Sequence, residues 1–422
     1  MPSPSDPGHG PLPRGHRAGE PALRRASLAV FLAGLAVFAV LYAPQALLPE
    51  LARAFAVSPA AATLSVSAAT AGLALGLLVL GPLSDRVGRT PVLRVALAGA
   101  GVLAVLTAAA PAWEVLLGLR GLQGFALAGL PAVGVAYLRE ELDASVSSRA
   151  IGLFVGGTAI GGLAGRVVAG ALADLGGWRT ALGGIAALAV GCTVAVWLLL
   201  PASRRFVPVP RHTPVLRQFA RGLADPVLLG LYALAALLMG GFVAVYNAGT
   251  FRLESEPYGL SPTLTGLVFL TYLLGSVAAP VAGGLAERIG RRVVVPAALV
   301  VTAAGLALTL AAPLVLFVAG LAVLTIGFFA AHGVASGWVA ARAALGARPV
   351  GQAASLYSFW YYVGSSVGGT LAGRAWAAAG WPGAVAVAGT GIGGALLLAL
   401  LLGRSASLGR RRRGLSAAAG SR

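Results

Sequence analysis

Residues 81–89 read Gly-Pro-Leu-Ser-Asp-Arg-Val-Gly-Arg, and residues 283–291 repeat this pattern as Gly-Gly-Leu-Ala-Glu-Arg-Ile-Gly-Arg. The first copy follows an uncharged run from Ala54 to Leu80, and the second also follows a long apolar run. A transmembrane helix needs about 20 consecutive apolar residues, so each run is long enough to cross a bilayer. Two copies of one membrane hairpin, half a chain apart, indicate a duplicated helical bundle.

The composition is that of a membrane protein. Of its 422 residues, 58% are hydrophobic and only 10% are charged, and the mean hydropathy is +0.87. Soluble domains carry about 25% charged residues, so this is an integral membrane protein. The single cysteine, Cys192, lies in an apolar run, which leaves neither a disulfide framework nor a metal site to predict.

The formal charge of +18 reflects membrane topology rather than a nucleic-acid partner. Of the 31 arginines, 25 fall in alternate loops and the two tails, a bias that predicts both termini and the long central loop in the cytoplasm. The chain contains no lysine, so a Walker-type phosphate loop and nucleotide binding are excluded. We expect the protein in the cytoplasmic membrane of a prokaryote, as a monomer.

Twelve apolar runs follow one another, and they predict an all-α membrane protein with twelve transmembrane helices in two homologous six-helix halves. A polar, arginine-containing segment separates the sixth run from the seventh. The predicted domains are a disordered cytoplasmic tail (1–26), an N-terminal half (27–200), a cytoplasmic linker (201–226), a C-terminal half (227–402) and a basic cytoplasmic tail (403–422).

A second repeat supports the duplication. Residues 155–166 in span 5 match residues 363–374 in span 11, and each copy is followed by a short loop and a tryptophan. The repeat places Arg166 and Arg374 at equivalent positions, where they can either line the outer half of a central cavity or extend outward as helix anchors.

Together, the twelve spans, the central loop and the turn at 81–89 resemble the major facilitator superfamily, over about residues 27 to 402. Residues 116–124 contain Leu-x3-Arg-x2-Gln-Gly, which is similar to the span-4 arginine motif of proton-coupled members. The chain most resembles the drug:proton antiporter branch, especially its arabinose-efflux-permease-like and YnfM-like members. In that subgroup a histidine in span 10 (His332) and a Trp-Tyr-Tyr run in span 11 (360–362) are similar features.

The span-5 motif departs from the antiporter pattern G-x3-G-P-x2-G-G. Gly162 stands in place of the proline and Arg166 in place of the last glycine. The multidrug-antiporter label therefore does not transfer directly to this chain.

The resemblance implies that the repeated turn forms a gating cluster, which latches the two halves while the site faces outward. Glycines at both ends of the turn predict a chain reversal there. The alternative is a set of exposed ion pairs worth about 0–1 kcal/mol that only marks the membrane boundary. The predicted gating residues are Gly81, Asp85, Arg86, Gly88 and Arg89, with Gly283, Glu287, Arg288, Gly290 and Arg291 in the second copy.

Arg120 is the leading candidate for the transport pathway, with Gln123 on the same helix face. An arginine in hydrocarbon costs about 2.5–3.5 kcal/mol, so it normally faces the bundle interior and has a partner. The alternative is that Arg120 snorkels to the outer interface.

Other polar and aromatic residues lie within several spans, and those of spans 1 and 7 are at matching depths. His332 is the only histidine within a span, and its unperturbed titration lies near physiological pH, which suits either a site role or structural packing. The remaining residues form either an aromatic, weakly polar pocket or part of the interfacial aromatic belt. They are Tyr42, Gln45, Tyr246, Asn247, Tyr272, Trp360 and Tyr361.

The family resemblance, together with the Arg120 motif, implies a secondary transporter without a cofactor, driven by the proton gradient, that exports a drug-like, sugar-like or metabolite compound. Uptake by proton symport, or facilitated diffusion, is the first alternative, and a non-transporting membrane sensor is a remote one. No Asp or Glu lies in the middle of a span, so a proton carrier must be His332, a rim carboxylate or the Asp85 cluster. No nucleophile–base pair or metal set supports an enzyme.

Overall fold

A computed structural model describes residues 14–209, 220, 222–346, 348 and 350–404. Apart from one isolated bridge between His16 and Leu142, the regular structure in these ranges is helical. The helices are α1 (Pro21–Tyr42), α2 (Leu48–Ala54), α3 (Pro59–Val87), α4 (Arg89–Ala108), α5 (Trp113–Leu127), α6 (Gly129–Glu141), α7 (Ala144–Leu199), α8 (Pro226–Glu254), α9 (Pro262–Val268), α10 (Tyr272–Ile289), α11 (Arg291–Leu308), α12 (Leu314–Leu345) and α13 (Val350–Arg404), with 3₁₀ turns at Ala43–Leu47 and Phe269–Thr271.

Ten helical segments of the described chain are long and apolar enough to cross a membrane. Two of them, α7 and α13, have 56 and 55 residues, whereas a bilayer core about 30 Å thick needs about 20. Each is interrupted by two non-helical residues, Gly176 and Gly177 in α7 and a second pair in α13. These breaks fall at the predicted loops after spans 5 and 11, and the count of twelve crossings stays a prediction.

The chain folds back on itself at the break in α7. A Cβ placed on Gly184 would meet the side chain of Leu172, although these residues would lie about 18 Å apart along one straight helix. Gly177 adopts φ +78°, a conformation that residues with a side chain rarely adopt, so glycine is suited to the reversal.

Two buried cores correspond to the two halves of the chain. In the first, α1 packs along α7 at a glycine row, where a Cβ on Gly157, Gly161 or Gly165 would overlap the α1 backbone. In the second, α8 packs along α13 in the same way at Gly364 and Gly368. Small residues that let helix backbones approach closely are typical of helix packing in membranes. The predicted duplication is therefore visible in the packing of both halves.

The two ends of the bundle differ in how they join the halves. We call the end that holds the start of α1 and the residues after α7 the terminal end, and the opposite end the far end. Side-chain hydrogen bonds between described residues of the two halves lie in the far half of the bundle. They join Gln45 to Asn247 (2.7 Å), Arg53 to Glu254 (3.2 Å), the Thr263 amide to Asp174 (3.0 Å), and Ser67 to Ser366 (2.8 Å) and Thr370 (3.1 Å). The structure is closed at the far end.

The structure differs from the predicted disordered tail at residues 14–26. The His16 amide donates to the Glu141 carbonyl (2.9 Å), the Asp143 amide donates to the His16 carbonyl (3.0 Å), and α1 begins at Pro21. Backbone pairing with the loop before α7 fixes this segment, a long-range contact that its polar composition does not reveal. Residues 1–13 and 405–422, which contain the rest of both predicted tails, lie outside the described residues.

The repeated turns also differ from the prediction. Gly81 lies inside α3 and Gly283 inside α10, so neither makes the chain reversal. The reversal needs one residue only: Gly88 adopts φ +107° and Gly290 adopts φ +92°. Each of these glycines ends one helix and precedes the next, in the left-handed region that glycine tolerates best.

Candidate functional site

Arg166 lies where the two halves meet, and its side chain is 3% exposed. Its Nε donates to Oε1 of Gln45 (2.7 Å), and Nη1 donates to the Gly162 carbonyl one turn earlier in α7 (2.5 Å). The guanidinium carbon lies 4.3, 4.9 and 4.7 Å from the ring centroids of Tyr42, Phe269 and Tyr272. Arg166 therefore connects α1 and α7 of the first half with the α9–α10 region of the second.

Gln45 and Asn247 join the halves at the same depth. Gln45 Nε2 donates to Asn247 Oδ1 at 2.7 Å, and both side chains are fully buried. The two residues are 202 positions apart, which is the spacing of the repeated turns, so equivalent positions of the two halves meet each other. Beside them, the Tyr246 hydroxyl lies 2.8 Å from Thr271 Oγ1 and 2.6 Å from Thr325 Oγ1.

Irregular backbone positions this cluster. Gln45 lies in the 3₁₀ turn that interrupts the first span, and Phe269 and Tyr272 lie in and after the 3₁₀ turn that interrupts the eighth. Broken helices at membrane depth occur where they are buried in protein or line a cavity, and transporters use them at binding sites. Six residues predicted from the sequence therefore come together here: Tyr42, Gln45, Arg166, Tyr246, Asn247 and Tyr272.

Arg120 lies inside the first half and is 1% exposed, so it does not snorkel to an interface in this structure. Its Nε donates to the Ser65 carbonyl (2.9 Å), Nη1 to the Val40 carbonyl (3.1 Å) and Nη2 to the Leu41 carbonyl (2.7 Å). Nη1 also donates to Gln123, as the spacing within α5 predicts. Four hydrogen bonds leave Arg120 as a link between α1, α3 and α5.

His332 and Tyr361 lie in a half-buried aromatic group formed by α12 and α13. The Tyr357 hydroxyl lies 3.0 Å from His332 Nδ1, and the His332 ring is 4.7 Å from Tyr361 and 5.9 Å from Phe328, measured between ring centroids. Trp360 is half-buried beside Phe359, and its indole Nε1 has no hydrogen-bond partner in the described residues. This group therefore places an imidazole, a tyrosine hydroxyl and an indole N–H among apolar ring surfaces.

The duplicated arginine in span 11 behaves differently from Arg166. The structure leaves Arg374 exposed, with no ion pair or hydrogen bond to a described residue. The sequence repeat placed Arg374 in the candidate pathway, whereas the structure places it outside the cluster around Arg166. The neighbouring glycines differ as well: Gly165 packs against α1 of its own half, whereas its equivalent Gly373 packs against α3 of the other half.

The first repeated turn forms a compact charge cluster at the terminal end. Arg89 Nη1 pairs with Asp85 (2.5 Å), its Nη2 pairs with Glu140 at the end of α6 (2.6 Å), and Nη1 donates to Ser84 Oγ (2.7 Å). Arg86 is exposed. Each described ion pair of this cluster stays within the first half.

The second repeated turn lacks this arrangement. Glu287 and Arg288 are exposed, and no ion pair joins Glu287 to Arg291 among the described residues. The position equivalent to Glu140, 202 residues on, is Arg342, so Arg291 meets no carboxylate from the neighbouring helix end. The motif is repeated in sequence, but its charge cluster is not.

Arg342 instead pairs with a residue that sequence reasoning missed. Asp225 is 2% exposed, contacts Arg342 (3.1 Å) and Arg348 (2.7 Å), and caps α8 by accepting from the Val227 amide (2.9 Å). Burial alone would raise the pKa of Asp225, but hydrogen bonds from Arg342 and from the backbone lower it below its usual value. The sequence signal was an Asp-Pro pair at the start of a span, which is typical of a helix N-cap.

Sequence reasoning also missed the far-end pair of Arg53 and Glu254. These residues end the first and seventh spans, 201 positions apart, and their side chains bridge the halves. Opposite charges at equivalent ends of two duplicated spans would have indicated this contact.

The comparisons with known proteins agree with this architecture. The sequence profile of the Major Facilitator Superfamily matches residues 27–256. The chain is 41% identical over 408 residues to the inner membrane transport protein YnfM of Escherichia coli (strain K12), covering 92% of this chain and 91% of that protein. It is 37% identical over 370 residues to the uncharacterized MFS-type transporter YybF of Bacillus subtilis (strain 168), covering 87% and 91%.

Solved structures with low sequence identity share the fold. One is a bacterial homolog of the human lysosomal transporter Spinster in an inward-facing, unoccupied conformation, with a TM-score of 0.70, 16% identity, and coverage of 92% of this chain and 96% of that one. Another is a mutant of the nucleoside transporter NupG, with a TM-score of 0.72, 15% identity, and coverage of 90% and 98%.

Proposed function

Because the chain belongs to the major facilitator superfamily, we propose that it exports a small organic compound in exchange for protons by alternating access. As a member of that superfamily the chain is a multi-pass membrane transporter and not an enzyme. What we propose beyond this is export as the direction, exchange for protons as the coupling, and a small organic molecule as the compound.

The positions of the hydrogen bonds between the two halves support alternating access. Among the described residues, the side-chain hydrogen bonds that cross between the halves lie in the far half of the bundle, whereas the ion pairs at the terminal end stay within one half. Two similar halves that contact each other in this way are suited to rocking about a central site. The cluster around Arg166 then closes the far side of that site.

In the opposite state the far-end bonds break and the terminal end closes. The cluster of Arg89, Asp85 and Glu140 then meets the second half, in the latching role that the motif implies. The described far-end ion pair joins the exposed Arg53 to Glu254, and an ion pair with an exposed partner contributes about 0–1 kcal/mol, so this pair does not lock the closed state.

His332 is our candidate for the proton carrier. The acidic side chains of the described chain lie near helix ends, whereas His332 lies within α12 beside a tyrosine hydroxyl and the aromatic group that faces the centre. The imidazole of His332 can exchange its proton through such a hydrogen bond.

We place the protein in the cytoplasmic membrane with the terminal end inside the cell. The arginine bias supports this orientation, and the relative from Escherichia coli is named as an inner membrane protein.

The test uses purified protein in liposomes that hold a pH gradient and a pH-sensitive dye. A panel of aromatic acids, sugars and drug-like cations is added, and uptake of a radiolabelled form of each compound is followed in parallel. We expect at least one compound to dissipate the gradient with the wild type and to be carried without proton movement by His332→Gln. Tracer movement without any dye response in the wild type would identify a uniporter and refute proton exchange.

A further inference from the structure

We infer that the transported compound is an organic anion, whose carboxylate binds Arg166 while its apolar body packs against the rings around that residue. The inference rests on the proposed transport function and names the substrate class for the same site.

Two buried arginines of the described chain have no acidic partner. Arg120 and Arg166 are both at least 97% buried, and neither pairs with a carboxylate in the described part of the chain. Charged side chains inside a membrane protein normally have a partner, because an uncompensated charge in a low-dielectric interior is costly. The described ion pairs of this protein involve other arginines and His16, and their acidic partners lie near helix ends. In the described interior these two guanidinium groups therefore have no carboxylate that compensates their charge.

Arg120 and Arg166 differ in how many of their N–H donors are used. A guanidinium has five N–H groups in a planar fork. Arg120 uses both nitrogens of the fork and Nε in hydrogen bonds to protein oxygens, so it has little left to offer a ligand. Arg166 makes two hydrogen bonds, and its Nη2 makes none to a described residue. Of these two arginines, Arg166 is therefore the one with a donor left for an anion.

Arg166 also sets the orientation of the two neighbouring side-chain amides. Because Arg166 Nε can only donate, it fixes the oxygen of Gln45 toward itself, and the Gln45 nitrogen then faces the oxygen of Asn247. Asn247 Nδ2 is left buried without a hydrogen-bond partner in the described chain. The cluster therefore has spare donors, which a carboxylate oxygen can satisfy and an ammonium group cannot.

Contacts with the aromatic rings do not fully compensate the buried charge of Arg166. A cation–π contact contributes about 0.5–2 kcal/mol, which offsets only part of the cost of a buried charge. The ring faces of Tyr42, Phe269 and Tyr272 nevertheless provide an apolar surface beside the guanidinium. A compound with a carboxylate on an aromatic or aliphatic body matches both features, whereas a cation would be repelled by Arg166.

The experiment compares isosteric ligands on purified protein in detergent, without any pH gradient. Phenylacetate, phenylacetamide and phenethylamine form one series, and cinnamate with its amide and amine forms a second. Binding is followed as the ligand-dependent rise in unfolding temperature. We expect a carboxylate to bind the wild type at least tenfold more tightly than its amide or amine, and Arg166→Gln to lose this preference.

Arg374→Gln is the matched control, since it removes the same charge at the duplicated but exposed position and should bind like the wild type. If Arg166→Gln is poorly folded, Arg166→Lys keeps the charge and should keep the order of preference. Equal or tighter binding of an amide or amine, or no response to any carboxylate, overturns the inference. Because no proton gradient is used, a failure of proton coupling leaves this result unaffected, and the two proposals fail separately.

Discussion

All three side-chain nitrogens of Arg120 donate hydrogen bonds to protein oxygens, so we expect Arg120 to stabilise the first half rather than to bind a ligand. The informative change is Arg120→Lys, because it keeps the positive charge but removes the planar fork. Any effect of the charge alone is then preserved, and the effect of the hydrogen bonds is isolated.

The magnitude follows from the break between α1 and the 3₁₀ turn. The carbonyl of Val40 would accept from residue 44 in an α-helix, and that of Leu41 would accept from residue 44 in a 3₁₀ turn. Residue 44 is proline and has no N–H, so both carbonyls depend on the Arg120 fork. A stranded buried acceptor costs about 1–3 kcal/mol, and one lysine nitrogen cannot replace the fork at both, so we expect a loss of about 3 kcal/mol.

The assay is thermal unfolding in one detergent at one scan rate. For a unit of about 150–250 residues, a loss of about 3 kcal/mol lowers Tm by about 6–12 °C. Arg374→Lys makes the same substitution at an exposed position and should leave Tm unchanged. An Arg120→Lys variant with the Tm of the wild type would refute the argument from the stranded carbonyls, and lost transport in such a variant would return Arg120 to the ligand site.

Three further predictions concern single positions. Asp225→Asn keeps the helix cap but removes the charge, and should reduce the stability of the fold by about 3 kcal/mol at pH 7. Because the pKa of Asp225 is lowered in the folded protein, the carboxylate stabilises the fold at pH values above 3.8, its ordinary pKa, and this stabilisation is lost as the pH falls through the lowered pKa. The Tm difference between the wild type and the variant should therefore shrink toward about pH 3. Gly161→Ala should lower Tm by separating α1 from α7, whereas Gly156→Ala, with open space around its Cβ, should not, and equal shifts would contradict the packing argument. Gly88→Ala should cost about 1–3 kcal/mol because of its positive φ, while Gly81→Ala inside α3 should be neutral in the same thermal scan, and a neutral Gly88→Ala would disprove that assignment.

The sequence predicted which residues belong to the candidate site, but not the hydrogen bonds that join them. Gln45, Arg166 and Asn247 were recognisable as polar residues in apolar spans. Their hydrogen-bonded chain was not, because it joins three helices from both halves, and a contact across 121 or 202 positions depends on how those helices pack.

Residue similarity also misled where the environments differ. Arg166 and Arg374 are equivalent by sequence, yet one is buried between the halves and the other is exposed. In the same way, the second turn repeats the motif of the first, but Arg342 stands where Glu140 completes the first cluster. A local pattern states which side chains are present, whereas the partner that makes a charge cluster lies on another helix.

The sequence by itself determined that the chain is a membrane bundle, that it is duplicated, and to which superfamily it belongs. Hydrophobic run length, repeated motifs and arginine distribution are local or additive properties, and the bilayer enforces them segment by segment. Only the tertiary structure decided which end of the bundle is closed, which arginine is saturated by carbonyls and which retains a free donor. These depend on distances between helices that are far apart in the chain, and backbone groups such as the Val40 carbonyl become partners only once Pro44 has broken the first helix.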